Sequence, residues 1–251
     1  EGFDMRCKLG IARLDFADAS GALAGEGLAG IFRAHLETGR NGFAVTDGRL
    51  ELAAGQAYSE PVFLDFAAHR ADIDFSGLLD TDAARFDADA FSLDHVGVLQ
   101  AAGTATLDFA GDDLLPQARI RIMSLEVAQA LPAYVQPFLI DTVFKDIEGA
   151  GTIRGEIDVS GGLPSRATLR FDTVILDSQT GTLAVDGLNG QLNWYDDATR
   201  NALAGRIDDA SFQSRLGWQS ASLWGLEFGA VEWPFATTGR HFRLLEPRLL
   251  P

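Results

Sequence analysis

Arg70-Ala71-Asp72-Ile73-Asp74-Phe75-Ser76 alternates without a break: Asp72, Asp74 and Ser76 fall on one side, Ile73 and Phe75 on the other. Successive side chains of an extended strand leave on opposite faces, so this stretch reads as a strand with one wet and one apolar face. Wound as a helix, the same residues would mix both kinds around the axis. The rhythm recurs at 11–16, 49–52, 85–90, 104–109, 118–122, 152–159, 166–171, 191–195 and 224–228.

Turn chemistry falls between these stretches. Asp47-Gly48 and Asn189-Gly190 read as two-residue hairpin turns, whose central residues both need positive φ. Gly111-Asp112-Asp113, Gly161-Gly162 and Gly239-Arg240 mark further turns. Such short connections favour antiparallel pairing, and no helix of ordinary length alternates with the strands, which counts against a parallel α/β fold. The expected fold is all-β: a long curled antiparallel sheet forming a β-groove, continuous over residues 1–251 with no independent domain boundary. A closed β-sandwich or a β-helix gives the same alternation and stands as the alternative.

One segment changes period. Over residues 124–147, Leu125, Ala128, Leu131, Val135, Phe138, Leu139, Thr142 and Val143 recur at three and four, with Ser124 placed as an N-cap and Pro132 and Pro137 limiting each piece. Two short helices are expected there, packed on the sheet or plugging its end. Gly149-Ala150-Gly151 then restarts the alternation.

Composition narrows the function. With 47% hydrophobic residues and 17 Phe, the chain has too much apolar content for a disordered one. Asp and Glu total 36 against 20 Lys and Arg, a net charge of −16, and the basic residues are scattered, so neither nucleic acid nor an anionic membrane surface is an expected electrostatic partner. The single thiol, Cys7, allows no internal disulfide. No stretch approaches the roughly 18 apolar residues of a membrane-spanning helix. Glu1 opens the chain without a leader-like segment, and residues 242–247 read as a strand still in progress, so a fragment of a longer chain is expected.

Catalytic and cofactor motifs fail in their context. Gly25-Glu26-Gly27-Leu28-Ala29-Gly30 matches the dinucleotide fingerprint, but no helix follows it, so it reads as a glycine-rich turn. Asp72-x-Asp74-x-Ser76-Gly77 starts like a calcium loop, yet its twelfth position is Ala83 where a bidentate Glu is needed. His35, His69, His95 and His241 are dispersed, and no Gly-x-Ser-x-Gly elbow occurs. The acid pairs Asp112-Asp113, Asp196-Asp197 and Asp208-Asp209 sit in expected turns. No catalytic residue, metal or cofactor is expected, and the chain does not read as an enzyme. A hydrolase using two carboxylates needs only their proximity in space and stands as a further reading.

The aromatic run at 216–235, with Trp218, Trp224, Phe228, Trp233 and Phe235, is either core or an apolar ligand surface. Three features together resemble a known family: the alternating strands with Asp or Arg on the wet face, the phrase Leu131-Pro132-Ala133-Tyr134-Val135-Gln136-Pro137-Phe138-Leu139 followed by Gly149-Ala150-Gly151-Thr152-Ile153-Arg154-Gly155, and Leu188-Asn189-Gly190-Gln191-Leu192. The chain resembles the AsmA/TamB-like bacterial envelope proteins, and most of all the YdbH type. The resemblance implies a periplasmic segment, anchored in the inner membrane through a missing N-terminal part, that conducts phospholipid between the two membranes and serves outer-membrane biogenesis. A small envelope lipoprotein is the further partner it implies. The residues expected to line the acyl path are Phe75, Phe86, Phe109, Ile122, Ile157, Phe171, Trp194, Trp218, Trp224 and Phe228, each taken from the apolar side of an alternating strand. Asp74, Arg121, Asp158 and Arg170 are their expected wet-side neighbours. A β-sandwich or β-helix that binds carbohydrate or protein is the competing function.

Overall fold

The computed structural model describes residues 2–18, 21, 23–39, 41–59, 62–239, 241–245 and 248–249. Arg240, Glu246 and Pro247, read from sequence as part of a turn and of a closing strand, lie outside them. The fold is all-β and antiparallel, and its strands do not close into a barrel. The registers are antiparallel ladders, whereas a β-helix requires parallel ones. Two compact units divide the chain: Glu1–Met123 with Val159–Leu163, and Ser124–Asp158 with Pro164–Pro251. These divisions fall inside strands and at a hairpin tip, so no linker lies at them.

In the first unit, β1 (Asp4–Ala17), β2 (Leu23–Thr38) and β3 (Gly42–Ser59) pair in order. β3 is long enough to pair with both β4 (Val62–Asp65) and β5 (Ala71–Asp80). β6 (Arg85–His95) and β7 (Leu99–Asp108) continue the ladder. β8 (Gln117–Glu126) begins in this unit. Among its described residues the unit contains no helix.

The second unit opens with a helical segment of three joined pieces: α1 (Val127–Ala130), a π-turn (Leu131–Val135) and α2 (Gln136–Leu139). Two separate helices bounded by prolines were expected. Pro132 and Pro137 instead stand early in the second and third pieces, and the backbone before each, at Ala130 and Val135, is already helical, so neither proline ends the run. Ser124 is not the cap: it lies in β8, its Oγ donates to Glu126 Oε1 at 2.5 Å, and Glu126 occupies the cap position. The segment packs on the sheet through Val127 and Leu131, which form a core with Ile147, Val174 and Leu188.

β9 (Ile147–Ser160), β10 (Leu163–Ser178) and β11 (Leu183–Tyr195) pair in order. β11 then carries both β12 (Gln213–Trp218) and β13 (Ser220–Leu223). β14 (Leu226–Phe228) pairs with β13, β15 (Val231–Thr238) with β12, and β16 (His241–Leu244) and β17 (Arg248–Leu249) with β15. Between β11 and β12 lie α3 (Asp197–Leu203) and a 3-10 turn (Asp209–Phe212), so helix is not confined to 124–147. Two residues read as turn acids are caps. Asp196 accepts from Thr199 N at 2.6 Å and Asp208 from Ala210 N at 3.0 Å.

Both hairpin signals prove to be strand interior. Gly48 lies within β3, opposite Ala34 and Phe75, where the ladder slips. Gly190 lies within β11 at φ +123°, between Phe171 and Leu216, and a Cβ there would stand 2.1 Å from the Arg215 carbonyl oxygen. Glycine answers here to close backbone approach in a crowded sheet. The run from Gly25 to Gly30 likewise belongs to β2 and is no turn between strands. Two-residue hairpin turns with both residues at positive φ stand instead at Gly161-Gly162, marked as a turn by the sequence, at φ +60° and +72° between β9 and β10, and at Trp224-Gly225, at φ +50° and +78°, joining the paired Leu223 and Leu226.

Candidate functional site

The register of the first unit builds its two faces. Leu9, Phe32, Leu50, Ile73, Leu93 and Ala101 oppose one another in sequence across β1, β2, β3, β5, β6 and β7. Opposed residues share a face, so this is one apolar row running the width of the ladder. A second row, Cys7, Ala34, Gly48, Phe75, Phe91 and Gly103, lies beside it on the same face. The row between them points the other way and reads Lys8, Arg33, Arg49, Asp74, Ser92. On that wet face Arg49 pairs with Asp74 at 3.2 Å and with Glu51 at 2.9 Å. The Arg33 guanidinium, helped by Arg49, holds the Glu51 carboxyl below its usual range. Asp72 and Asp74 thus belong to a strand face bearing compensating arginines.

Exposure separates the apolar face into two depths. Ala34, Val45, Phe86 and Ala88 form a buried cluster, with Phe32 and Phe75 packed against it. Phe75 meets Phe86 edge-on at 5.7 Å and Phe32 at 6.3 Å. Phe32, Leu50, Ile73 and Leu93 are only half-buried; Leu93 packs against a second buried cluster of Leu28, Phe66 and Ala71, whereas Leu50 and Ile73 belong to neither. Among the described residues of this unit no helix covers them.

The ten expected lining residues divide accordingly. In the first unit Phe75 and Phe86 share the cluster just described, and Ile122 is buried on β8 with the exposed Arg121 beside it. Phe109 does not belong to a strand: β7 ends at Asp108, the Phe109 amide donates to the Ala84 carbonyl, and the ring is 58% exposed. In the second unit Phe171 and Trp218 pack on the Val127–Leu131 core. Ile157 and Trp194 are half-buried, and Trp194 Nε1 donates to the Gly239 carbonyl at 3.0 Å. Phe228 is partly exposed on the short β14. Trp224 is a correction: it occupies a positive-φ turn, 66% exposed, because the alternation at 224–228 begins only after the turn it makes with Gly225.

Sequence reading missed a polar cleft of about 1030 Å³ on the second unit. Its floor includes Asn189, Gln191 and Asn193, alternate residues of β11, and four arginines line it: Arg154, Arg166, Arg170 and Arg215. Only the register could have brought these residues together. Among the described residues, no three His, Cys, Asp or Glu side chains gather as metal ligands would. No family model, curated protein or solved structure matches the chain.

Proposed function

We propose that this chain is a periplasmic segment of a protein that conducts phospholipid between the inner and outer membranes, its acyl chains carried along the apolar face of the sheet. The observation that carries the reading is the opposed pair Leu50 and Ile73 at the middle of the apolar row, half-buried, packed against none of the buried clusters, and covered by no helix among the described residues of the unit. An acyl chain laid on such a face loses contact with water at about 0.8 kcal/mol per CH₂. The adjoining row of Ala34, Gly48, Phe75 and Phe91 also presents no polar side chain, so a chain shifted onto it meets apolar surface and sliding needs no specific site. The polar rows on the reverse face, tied by Arg49–Asp74 and Arg33–Glu51 pairs, keep that side in water. Anchoring in the inner membrane, through sequence outside this chain, and cooperation with a small envelope lipoprotein complete the proposal.

Native mass spectrometry of protein purified from a Gram-negative host tests it. The expected spectrum carries phospholipid mass increments that persist through gentle desolvation. A spectrum of the bare polypeptide alone contradicts the reading.

A further inference from the structure

We propose that the polar cleft of the second unit binds a phosphate-bearing ligand, its phosphoryl oxygens clamped between Arg170 and Arg215 over Gln191. The proposal is independent of acyl conduction on the apolar face. Arg170, Gln191 and Arg215 are opposed on three consecutive strands, β10, β11 and β12. Adjacent strands lie about 4.8 Å apart, so the two arginine backbones stand roughly 10 Å from each other with the glutamine between them. That separation lets two guanidinium forks converge on one tetrahedral anion while an amide donates from below. Planar guanidinium matches phosphate oxygens in pairs and gives shorter, stronger hydrogen bonds than neutral donors.

Charge supports the same ligand class. The chain is strongly acidic, at −16, yet the cleft is lined by four arginines and one acid, Asp172. Arg170 has no carboxylate partner among the described residues. Among the described residues Arg154 pairs with Asp172 at 3.6 Å, Arg166 with Glu156 and Asp158 at 3.6 Å, and Arg215 with Glu232 at 3.4 Å, stretched pairs that a phosphate could replace at small cost. The amides Asn189, Gln191 and Asn193 form a floor that is polar and uncharged, so it does not repel an anion.

Isothermal titration at low ionic strength, with inorganic phosphate and separately with monomeric dihexanoyl phosphatidylglycerol, tests the clamp. The double variant Arg170→Gln/Arg215→Gln is the probe, and Arg85→Gln, which pairs with Asp87 in the first unit, is the control. Circular dichroism establishes that all three proteins are folded. Binding of either ligand that the double variant weakens at least about tenfold, with the control unchanged, supports the proposal. Binding of phosphate assigns the site to a free oxyanion, and binding of the lipid alone assigns it to a headgroup. No binding of either ligand, or binding that the double variant keeps, overturns it. Lipid retained unchanged by the double variant belongs to the apolar face, so the two readings fail separately.

Discussion

Phe75 lies across Gly48: the two residues are opposed on β5 and β3, and a Cβ at position 48 would stand 2.4 Å from Phe75 Cε2. The ring fills the space that a side chain on β3 would occupy. From there it reaches both Phe32 and Phe86. Gly48→Ala should therefore push the ring out of its packing and destabilise the protein by about 1–3 kcal/mol, as overpacking usually does. Urea denaturation measures this; a variant as stable as the parent contradicts the contact.

Asp196 accepts from Thr199 N and so satisfies one of the free amides that open α3. Asp196→Ala should cost about 1 kcal/mol. Hydrogen exchange should speed up first in residues 197–203, and uniform acceleration through the strands would argue against a local cap.

These two sites mark what the sequence could and could not tell. Alternation is a local property, so Asp72, Ile73, Asp74 and Phe75 reveal their faces before any partner strand is known. Register is not local. An Asp-Gly pair that ends a strand and one that slips inside it look alike until the ring of Phe75 is placed on Gly48. Trp224-Gly225 was legible as neither, since a tryptophan at positive φ is not a usual turn residue. Arg170 and Arg215 are 45 residues apart, and only the pairing of both with Gln191 makes them neighbours.

His95 is buried, between Phe66 at 6.2 Å and His69 at 5.9 Å. Burial holds its imidazole below the ordinary value of 6.5. The unfolded chain therefore takes up a proton near pH 6.5 that the folded state resists, so this contribution is full above pH 6.5 and is lost as the pH falls toward the lower folded value. Denaturation midpoints of the parent should decline just below pH 6.5, and His95→Gln should flatten that decline. An identical pH profile in the variant contradicts the assignment.

Val174 is 1% exposed in the second unit's core, whereas Ile73 is half-buried on the apolar face of the first. A carboxylate at 174 has no water and no cation to turn to, so Val174→Asp should cost several kcal/mol and unfold its unit. Ile73→Asp should leave the fold in place and abolish lipid retention. Equal unfolding by both variants would mean that the Ile73 face is a dry core.

Photocrosslinking across one pair of strands tests the central claim most directly. Leu50 and Ile73 oppose each other on the apolar face, and Arg49 and Asp74 oppose each other on the wet face one residue away. With a photoreactive residue placed at each position in turn, in the intact protein within a Gram-negative envelope, phospholipid adducts should form at 50 and 73 and not at 49 and 74. Equal labelling of both faces, or no lipid adduct at 50 and 73, contradicts an acyl-conducting face.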